Sequence, residues 1–177
     1  LVSDNIQLIN LGGKSKRCEN QKILRSIIEG FRKETNSKIV HIFDSDALLE
    51  FTDFEIKGMN CFFVGTQDIE DSIESSVWLS LIREQTNNQL PIEFEEIEQI
   101  KNALPTTETK QKLNSNQKFY EQLKRLVNRK ASEVALEELQ NSLPTKGLDS
   151  GKLLTKHITN IEQVGEKIRK AFEQLAS

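Results

Sequence analysis

The sequence predicts an α/β fold, with a small parallel sheet followed by a helical carboxyl-terminal region. Three short apolar runs before residue 66 have the length of buried strands. They do not alternate with polar residues, as is typical of strands covered on both faces. A helical pattern separates the first two runs, and a strand–helix–strand order favours a right-handed parallel crossover. Beyond residue 66 the apolar residues recur at helical spacing, so we expect no further strand.

The first predicted strand is residues 5–11, NIQLINL, which ends at a Gly-Gly pair, 12–13. Residues 19–34 are predicted to form a helix, because their apolar residues recur at helical spacing. The second strand is 38–43, KIVHIF, and the third is 60–64, NCFFV. The segment between the second and third strands leaves room only for a short helical turn or a loop.

The helical part begins with one long amphipathic helix, 68–86, in which apolar residues recur every four positions. Four further helices are predicted at 93–104, 108–129, 132–142 and 150–175. Prolines favour the ends of two of them, near residues 105 and 144. We therefore divide the chain into an α/β domain, residues 1–86, and a helical subdomain, residues 87–177.

Composition limits the classes of function open to this chain. Its formal net charge is −3, so nucleic-acid binding would need a local basic patch. No apolar run has the length of a membrane span, and we expect no membrane partner. Cys18 and Cys61 fit no metal-binding spacing, so we expect free thiols in a reducing cytosol, which favours a cytoplasmic protein.

The segment IVHIFDSD carries the first candidate chemistry, because a buried strand runs directly into Asp44 and Asp46. Side chains alternate along a strand, so both carboxylates are expected to point the same way. Open α/β sheets bind ligands beyond the carboxyl ends of their strands, and carboxylate oxygens suit a hard cation such as Mg²⁺. The alternative is that these residues only form a turn or a helix cap.

A second acidic cluster follows the third strand in GTQDIEDSIE, where Asp68, Glu70 and Asp71 are expected in the first turn of a helix. Acids at that position also interact favourably with the helix dipole, which is the structural alternative for each of them. Neighbouring parallel strands would bring both clusters to one edge of the sheet. We therefore predict that Asp44, Asp46 and Glu70 converge on a divalent cation.

Lysines supply the candidate phosphate contacts. The segment GGKS at 12–15 is not a P-loop, because Leu8 stands where that pattern requires glycine. It still offers backbone amides together with Lys14 and Lys16 near a helix start, which favours phosphate binding; a tight turn is the alternative. Lys152 opens the last predicted helix and is a candidate charge clamp on a phosphate, or else an exposed lysine.

The order of these motifs resembles a Toprim domain, a Rossmann-like fold. The resemblance is to the Toprim domain at the carboxyl end of OLD (overcoming lysogenization defect) family nucleases, including Gabija-type defence proteins. It is carried by GGKS after a strand, by IVHIFDSD, by CFFVGTQDIEDSI and by SGKLLTKHI. It implies a DNA endonuclease that depends on Mg²⁺ or Mn²⁺ and acts in antiviral defence. It also implies that Asp44 and Asp46 are metal ligands, that Glu70 is a further ligand or orients one, and that Lys152 stabilises phosphate charge.

The resemblance implies partners other than DNA. Members of the family carry an upstream ATPase domain, and we expect a homo-oligomer. A Toprim domain begins with a strand that ends in glutamate, and no residue before Ile6 supplies one. We therefore expect this chain to be the carboxyl-terminal portion of a longer protein. The missing strand would be donated by an upstream segment or by a partner chain, unless the site is degenerate.

Two other functions are compatible with the same residues. The first is a degenerate Toprim-like module for binding or assembly, whose acids hold no metal. The second is a receiver-like or other phosphate-handling domain that uses Asp44 as the phosphate acceptor. That domain predicts a five-stranded sheet, which the helical pattern after residue 66 disfavours.

Overall fold

The computed structural model describes residues 30, 40–50, 60–106 and 113–176. The first predicted strand, the Gly-Gly turn, Lys14 and Lys16 lie outside these residues. So does the predicted helix 19–34, apart from residue 30. The predictions made for those segments therefore stay predictions.

Two parallel strands form the sheet in the described part of the chain: β1, His41–Asp44, and β2, Cys61–Val64. Asp44 pairs with Val64, so both strands end at the same edge of the sheet. Phe43 and Phe63 stack across the pair, with ring centroids 5.7 Å apart. The α/β class and the second and third predicted strands are confirmed in this coarse form.

The helical part contains five α-helices within the described residues. They are α1 Ser75–Gln85, α2 Phe94–Asn102, α3 Phe119–Glu133, α4 Leu148–His157 and α5 Glu166–Ala176. The position of α2 confirms the predicted helix 93–104. The predicted helix 108–129 corresponds to α3, but α3 begins only at Phe119, after a 3₁₀ turn at Ser115–Gln117.

The predicted helix 68–86 is interrupted. Glu70–Ser72 form a 3₁₀ turn, and Ile73 and Glu74 are extended, with ψ angles of 136° and 142°. The indole N–H of Trp78 donates to the Glu70 carbonyl at 3.1 Å and ties this turn to α1. The acids at 68–71 therefore lie in a loop and a short turn, not in the first turn of a long helix.

Two later helix predictions were wrong in extent. The predicted helix 132–142 contains only the end of α3 and a 3₁₀ turn at Glu137–Leu139, because Ala135 takes a left-handed φ of 56°. The predicted helix 150–175 is divided into α4 and α5. Ile158 is extended, and the Asn160 side chain accepts a hydrogen bond from the Glu162 N–H at 3.0 Å, which begins a separate turn.

The main core lies between α1 and the helices that follow it. Trp78 of α1 is fully buried and contacts the rings of Phe119 and Tyr120 at the start of α3, at centroid distances of 5.4 and 5.6 Å. Leu81 of α1 and Ile97 of α2 are also fully buried. Helix α1 packs on α2 and α4, so it shares one core with helices beyond the predicted domain boundary at residue 86.

Helix α5 packs against both strands. Its N-terminus comes close to the loop after β2, since a Cβ built at Gly165 would lie 2.8 Å from the Cβ of Ser72. No helix among the described residues is long and apolar enough to cross a membrane.

Candidate functional site

The carboxyl ends of the two strands bring four acidic residues to one edge of the sheet. Asp44 is the last residue of β1 and Asp46 lies in the 3₁₀ turn after it, whereas Asp68 and Glu70 follow β2. Hydrogen bonds join the segments: the Asp46 N–H donates to the Gln67 carbonyl at 2.9 Å, the Ile69 N–H donates to Asp44 Oδ1 at 3.0 Å, and the Ser45 hydroxyl donates to the Gly65 carbonyl at 2.7 Å. We call these four acids the acidic rim.

The loop after β2 depends on Gly65 and Asp71. Gly65 has a φ of +76°, and a Cβ at this position would lie 1.7 Å from the Asp68 carbonyl oxygen, so only glycine fits. The Asp71 carboxylate accepts hydrogen bonds from the N–H groups of Thr66, Gln67 and Asp68. Asp71 therefore shapes the loop, and the loop presents Asp68 and Glu70 to the rim.

Two lysines from the helical part neutralise the acidic rim. Lys118, just before α3, places its Nζ 2.6 Å from Asp46 Oδ2 and 3.8 Å from Asp68 Oδ2. Lys146, just before α4, places its Nζ 3.0 Å from Asp68 Oδ2 and 2.8 Å from Glu70 Oε2. Acids and lysines therefore alternate, and Asp68 lies between the two ammonium groups.

The rim is buried, and burial makes its charges interdependent. The side chains of Asp46 and Asp68 are 1% and 0% exposed, and ionised groups at such positions need partners. Burial raises the pKa of Asp44, and the negative charges of Asp68 and Asp46 raise it further. Burial likewise raises the pKa of Glu70, with a further contribution from Asp68. Full ionisation of the four acids is therefore unfavourable unless positive charge is added nearby.

The pKa of Lys146 is also raised, but in this case the shift favours the charged form. Burial alone would lower its pKa, but the attraction of Asp68 and Glu70 outweighs burial, and its pKa is raised above the ordinary value of 10.5. Lys146 is therefore a permanent cation at neutral pH. Four carboxylates still face only two ammonium groups, which leaves an excess of negative charge when all the acids are ionised.

The acidic rim fits a divalent cation in donor chemistry. Carboxylate oxygens are the ligands that Mg²⁺ and Mn²⁺ prefer, and Asp68 Oδ1 is buried with no hydrogen-bond partner among the described residues. In the present arrangement no group of three Asp, Glu, His or Cys side chains in the described ranges is placed to hold a metal ion. The ammonium groups of Lys118 and Lys146 instead occupy oxygens that a cation would use.

The predicted site residues are distributed unevenly. Asp44, Asp46 and Glu70 all lie at the rim, each held by a backbone amide or a lysine. Lys152 lies exposed on α4, and its side chain makes no ion pair with a described residue. Lysine contacts to the rim come instead from Lys118 and Lys146.

Asp68 as a site residue, and the two lysines that contact the acidic rim, were not predicted from the sequence. Asp68 was assigned to a helix terminus, yet its side chain is fully buried at the centre of the network. Lys118 ends a polar segment without a motif, and Lys146 follows Pro144 in a loop. Lys118 and Lys146 are separated from their partners Asp46 and Asp68 by 72 and 78 residues, so no local pattern connects them.

A cavity of about 210 Å³ lies beside the rim, between the loop after β2 and the N-terminus of α5. Its lining includes Thr66, Asp71 and Lys167, but none of the four rim acids. The rim itself is therefore a buried charge network at a sheet edge, separate from this cavity.

Comparisons of the chain with protein-family models, with curated proteins and with solved structures find no match. The residues of the rim and the motifs in the sequence are therefore the observations that bear on function.

Proposed function

We propose that this chain is the carboxyl-terminal nuclease portion of an OLD-like ATPase–nuclease, with a Toprim-like α/β part that cleaves phosphodiester bonds of DNA with a divalent metal ion. The observation that supports this most is the position of Asp44, Asp46, Asp68 and Glu70 at one edge of a parallel sheet. That edge is where open α/β sheets bind their ligands. Antiviral defence is the process that the resemblance implies.

In this proposal Asp44, Asp46 and Glu70 hold Mg²⁺ or Mn²⁺, and Asp68 supplies negative charge between them. A bound metal ion of this kind activates water and stabilises the charge that develops on a phosphodiester. Asp46 and Asp68 are buried, and their contacts with Lys118 hold both carboxylates at the sheet edge. Lys118 and Lys146 remain near enough to neutralise phosphate oxygens.

One face of α3 supports DNA as the substrate. Lys118, Gln122, Arg125 and Arg129 are spaced by four, three and four residues, which places them along a single helix face that begins at the rim. Arg125 is exposed and makes no ion pair with a described residue, whereas Arg129 lies 3.6 Å from Glu133. Arg129 also lies 3.9 Å from Glu96, and Lys118 pairs with Asp46, so Arg125 is the cation of this stripe that is placed to contact a phosphate.

A degenerate module for binding or assembly is the second candidate. It is favoured by the lysines, because Lys118 and Lys146 already neutralise the acids that a metal would otherwise bind. In that case the charge network would fasten the sheet to the helices and would have no catalytic role. This candidate predicts no metal binding at the rim.

Nicking of supercoiled plasmid in Mn²⁺ by the longest natural form of the protein separates the two candidates. The nuclease proposal expects nicking that chelation abolishes and that Asp46→Asn removes. Glu173→Gln, an exposed acid on α5, is the matched control and should leave nicking unchanged. Full nicking by Asp46→Asn would reject the proposed role of the rim.

A further inference from the structure

We infer that Lys118 and Lys146 are internal counter-cations that a divalent ion must displace, so that removing either ammonium group tightens metal binding at the acidic rim. The inference rests on the proposed function in one respect, since it requires that the rim binds a divalent ion. It assigns to these two lysines a role in setting metal affinity.

The contacts of Asp68 carry the first step. Its Oδ2 lies 3.0 Å from Lys146 Nζ and 3.8 Å from Lys118 Nζ, while its Oδ1 has no hydrogen-bond partner among the described residues. Its side chain is 0% exposed, so water does not compensate the free oxygen. A fully buried carboxylate that has ion-pair partners on only one of its oxygens can bind a further cation through the other oxygen.

Competition for shared oxygens carries the second step. Asp46 Oδ2 and Glu70 Oε2 lie 2.6 and 2.8 Å from lysine Nζ atoms. Divalent ions bind carboxylate oxygens at about 2.0–2.6 Å, closer than an ammonium group does. A metal ion and a lysine cannot use the same side of one oxygen at once. Metal binding through these two oxygens therefore requires the lysines to withdraw.

The lysines are placed so that they can withdraw. Lys146 has a side chain 37% exposed and lies in the loop before α4, while Lys118 is 17% exposed at the start of α3. Neither residue lies within a helix, so withdrawal of its ammonium group would not require a helix to unfold. The Tyr120 hydroxyl donates to the Pro144 carbonyl and keeps the Lys146 loop beside the rim after the displacement.

Trp78 provides a local reporter of this exchange. It is the single tryptophan of the chain, and its indole N–H donates to the Glu70 carbonyl at 3.1 Å. Replacement of the ammonium group beside Glu70 by a metal ion should therefore alter its fluorescence. Titration of Mg²⁺, followed by Trp78 fluorescence and by calorimetry, measures binding without any dependence on cleavage.

The decisive variants are Lys118→Met and Lys146→Met. If lysine-held states dominate the metal-free protein, each variant should bind Mg²⁺ about tenfold more tightly than the wild type, because the competing state has been removed. Lys118→Arg retains the positive charge and should keep wild-type affinity. Lys124→Met removes a lysine of α3 that has no ion pair with a described residue, and it should also leave the affinity unchanged.

Thermal melting provides a second measurement of metal binding if the methionine variants are too unstable for titration. A buried acid that has lost its lysine destabilises the metal-free protein, so Mg²⁺ should raise the melting temperature of each variant more than that of the wild type. Lys146→Gln, which removes the charge but retains hydrogen bonding, should behave in the same direction. Equal shifts in all proteins would overturn the inference.

The outcomes for the inference and for the proposed function differ. Wild-type Mg²⁺ binding that needs Asp46, with unchanged or weaker binding in both methionine variants, overturns the inference and leaves the nuclease proposal intact. Binding by the lysine variants alone supports the inference and contradicts nuclease activity in the natural chain. Absence of Mg²⁺ and Mn²⁺ binding in every variant overturns both.

Discussion

Lys118 and Asp46 form an ion pair, with 2.6 Å between Nζ and Oδ2, although 72 residues separate them in the chain. Asp46 follows the first described strand and Lys118 immediately precedes the longest described helix, so the pair fastens the sheet edge to the helical core. The Asp46 side chain is 1% exposed. The same contact is therefore central both to stability and to any chemistry at the acidic rim.

Lys118→Met should destabilise the metal-free protein by about 3 kcal/mol, because it leaves the buried Asp46 charge without its lysine. Urea denaturation at neutral pH without divalent ions measures this loss. The double variant Lys118→Met/Asp46→Asn should recover much of the stability, since the buried charge is then removed as well. Lys170→Met is the matched control, because Lys170 and its partner Glu166 are both exposed. If Lys170→Met and Lys118→Met lose equal stability, the Lys118–Asp46 ion pair does not make the proposed contribution to stability.

Gly65→Ala should destabilise the fold by more than about 1 kcal/mol, because the left-handed φ and the contact with the Asp68 carbonyl oxygen both exclude a side chain. The displaced loop should also weaken metal binding at the rim. Gly151→Ala in α4 is the matched control: a Cβ there meets no atom within 4 Å, and alanine favours a helix. Chemical denaturation of both variants provides the measurement. A Gly65→Ala protein as stable as the wild type would refute the assigned role of the turn.

Tyr120 should ionise far above the ordinary range. Burial raises its pKa to about 12, with further contributions from the negative charges of Glu121 and Glu70. It is the single tyrosine of the chain, so an alkaline absorbance titration reports it alone. An unfolded tyrosine ionises near its ordinary pKa of 10.0, so the folded state holds the proton more tightly above that pH. The free energy of unfolding should therefore fall as the pH rises from 10 toward 12.

Tyr120→Phe tests that assignment. It removes the titrating group and should remove this part of the alkaline decline in stability. It also removes the hydrogen bond to the Pro144 carbonyl, so its stability at neutral pH should be lower than that of the wild type. A wild-type tyrosine that titrates near 10.0 would show that the ring is accessible to water in solution.

Arg125→Gln should weaken binding of a DNA duplex in the absence of metal, and it should reduce the slope of the logarithm of affinity against the logarithm of salt concentration by about one. The reason is that Arg125 is exposed on the stripe that begins at Lys118. Lys156→Gln, at the end of α4, is the control and should leave the slope unchanged. Equal slopes for wild type and Arg125→Gln would exclude this face from the DNA contact.

The sequence predicted the parts of the fold that depend on local pattern. The run from His41 into Asp44 and the run CFFV were sufficient to place two parallel strands and the acids at their ends. The spacing of apolar residues did not predict the break in the helix at Ile73 and Glu74. The apolar residues continue to recur every four positions there, although the backbone is extended. Apolar periodicity records which face is buried, and it does not record whether the chain turns between one buried residue and the next.

The lysine half of the candidate site could not be predicted for a different reason. Lys118 and Lys146 reach Asp46 and Asp68 through tertiary packing of the segments before α3 and α4. Nothing near either lysine in the sequence distinguishes it from Lys152, which lies exposed. Ion pairs over such separations are determined by how the elements pack, and a single sequence does not contain that information locally.

Calorimetric titration of Mn²⁺ into wild type and Asp46→Asn tests the central claim most directly, which is that the strand-end carboxylates bind a divalent ion. We expect saturable binding to the wild type, with heat that disappears in Asp46→Asn while that variant remains folded. Identical binding curves for the two proteins, or no binding to either, would contradict the claim.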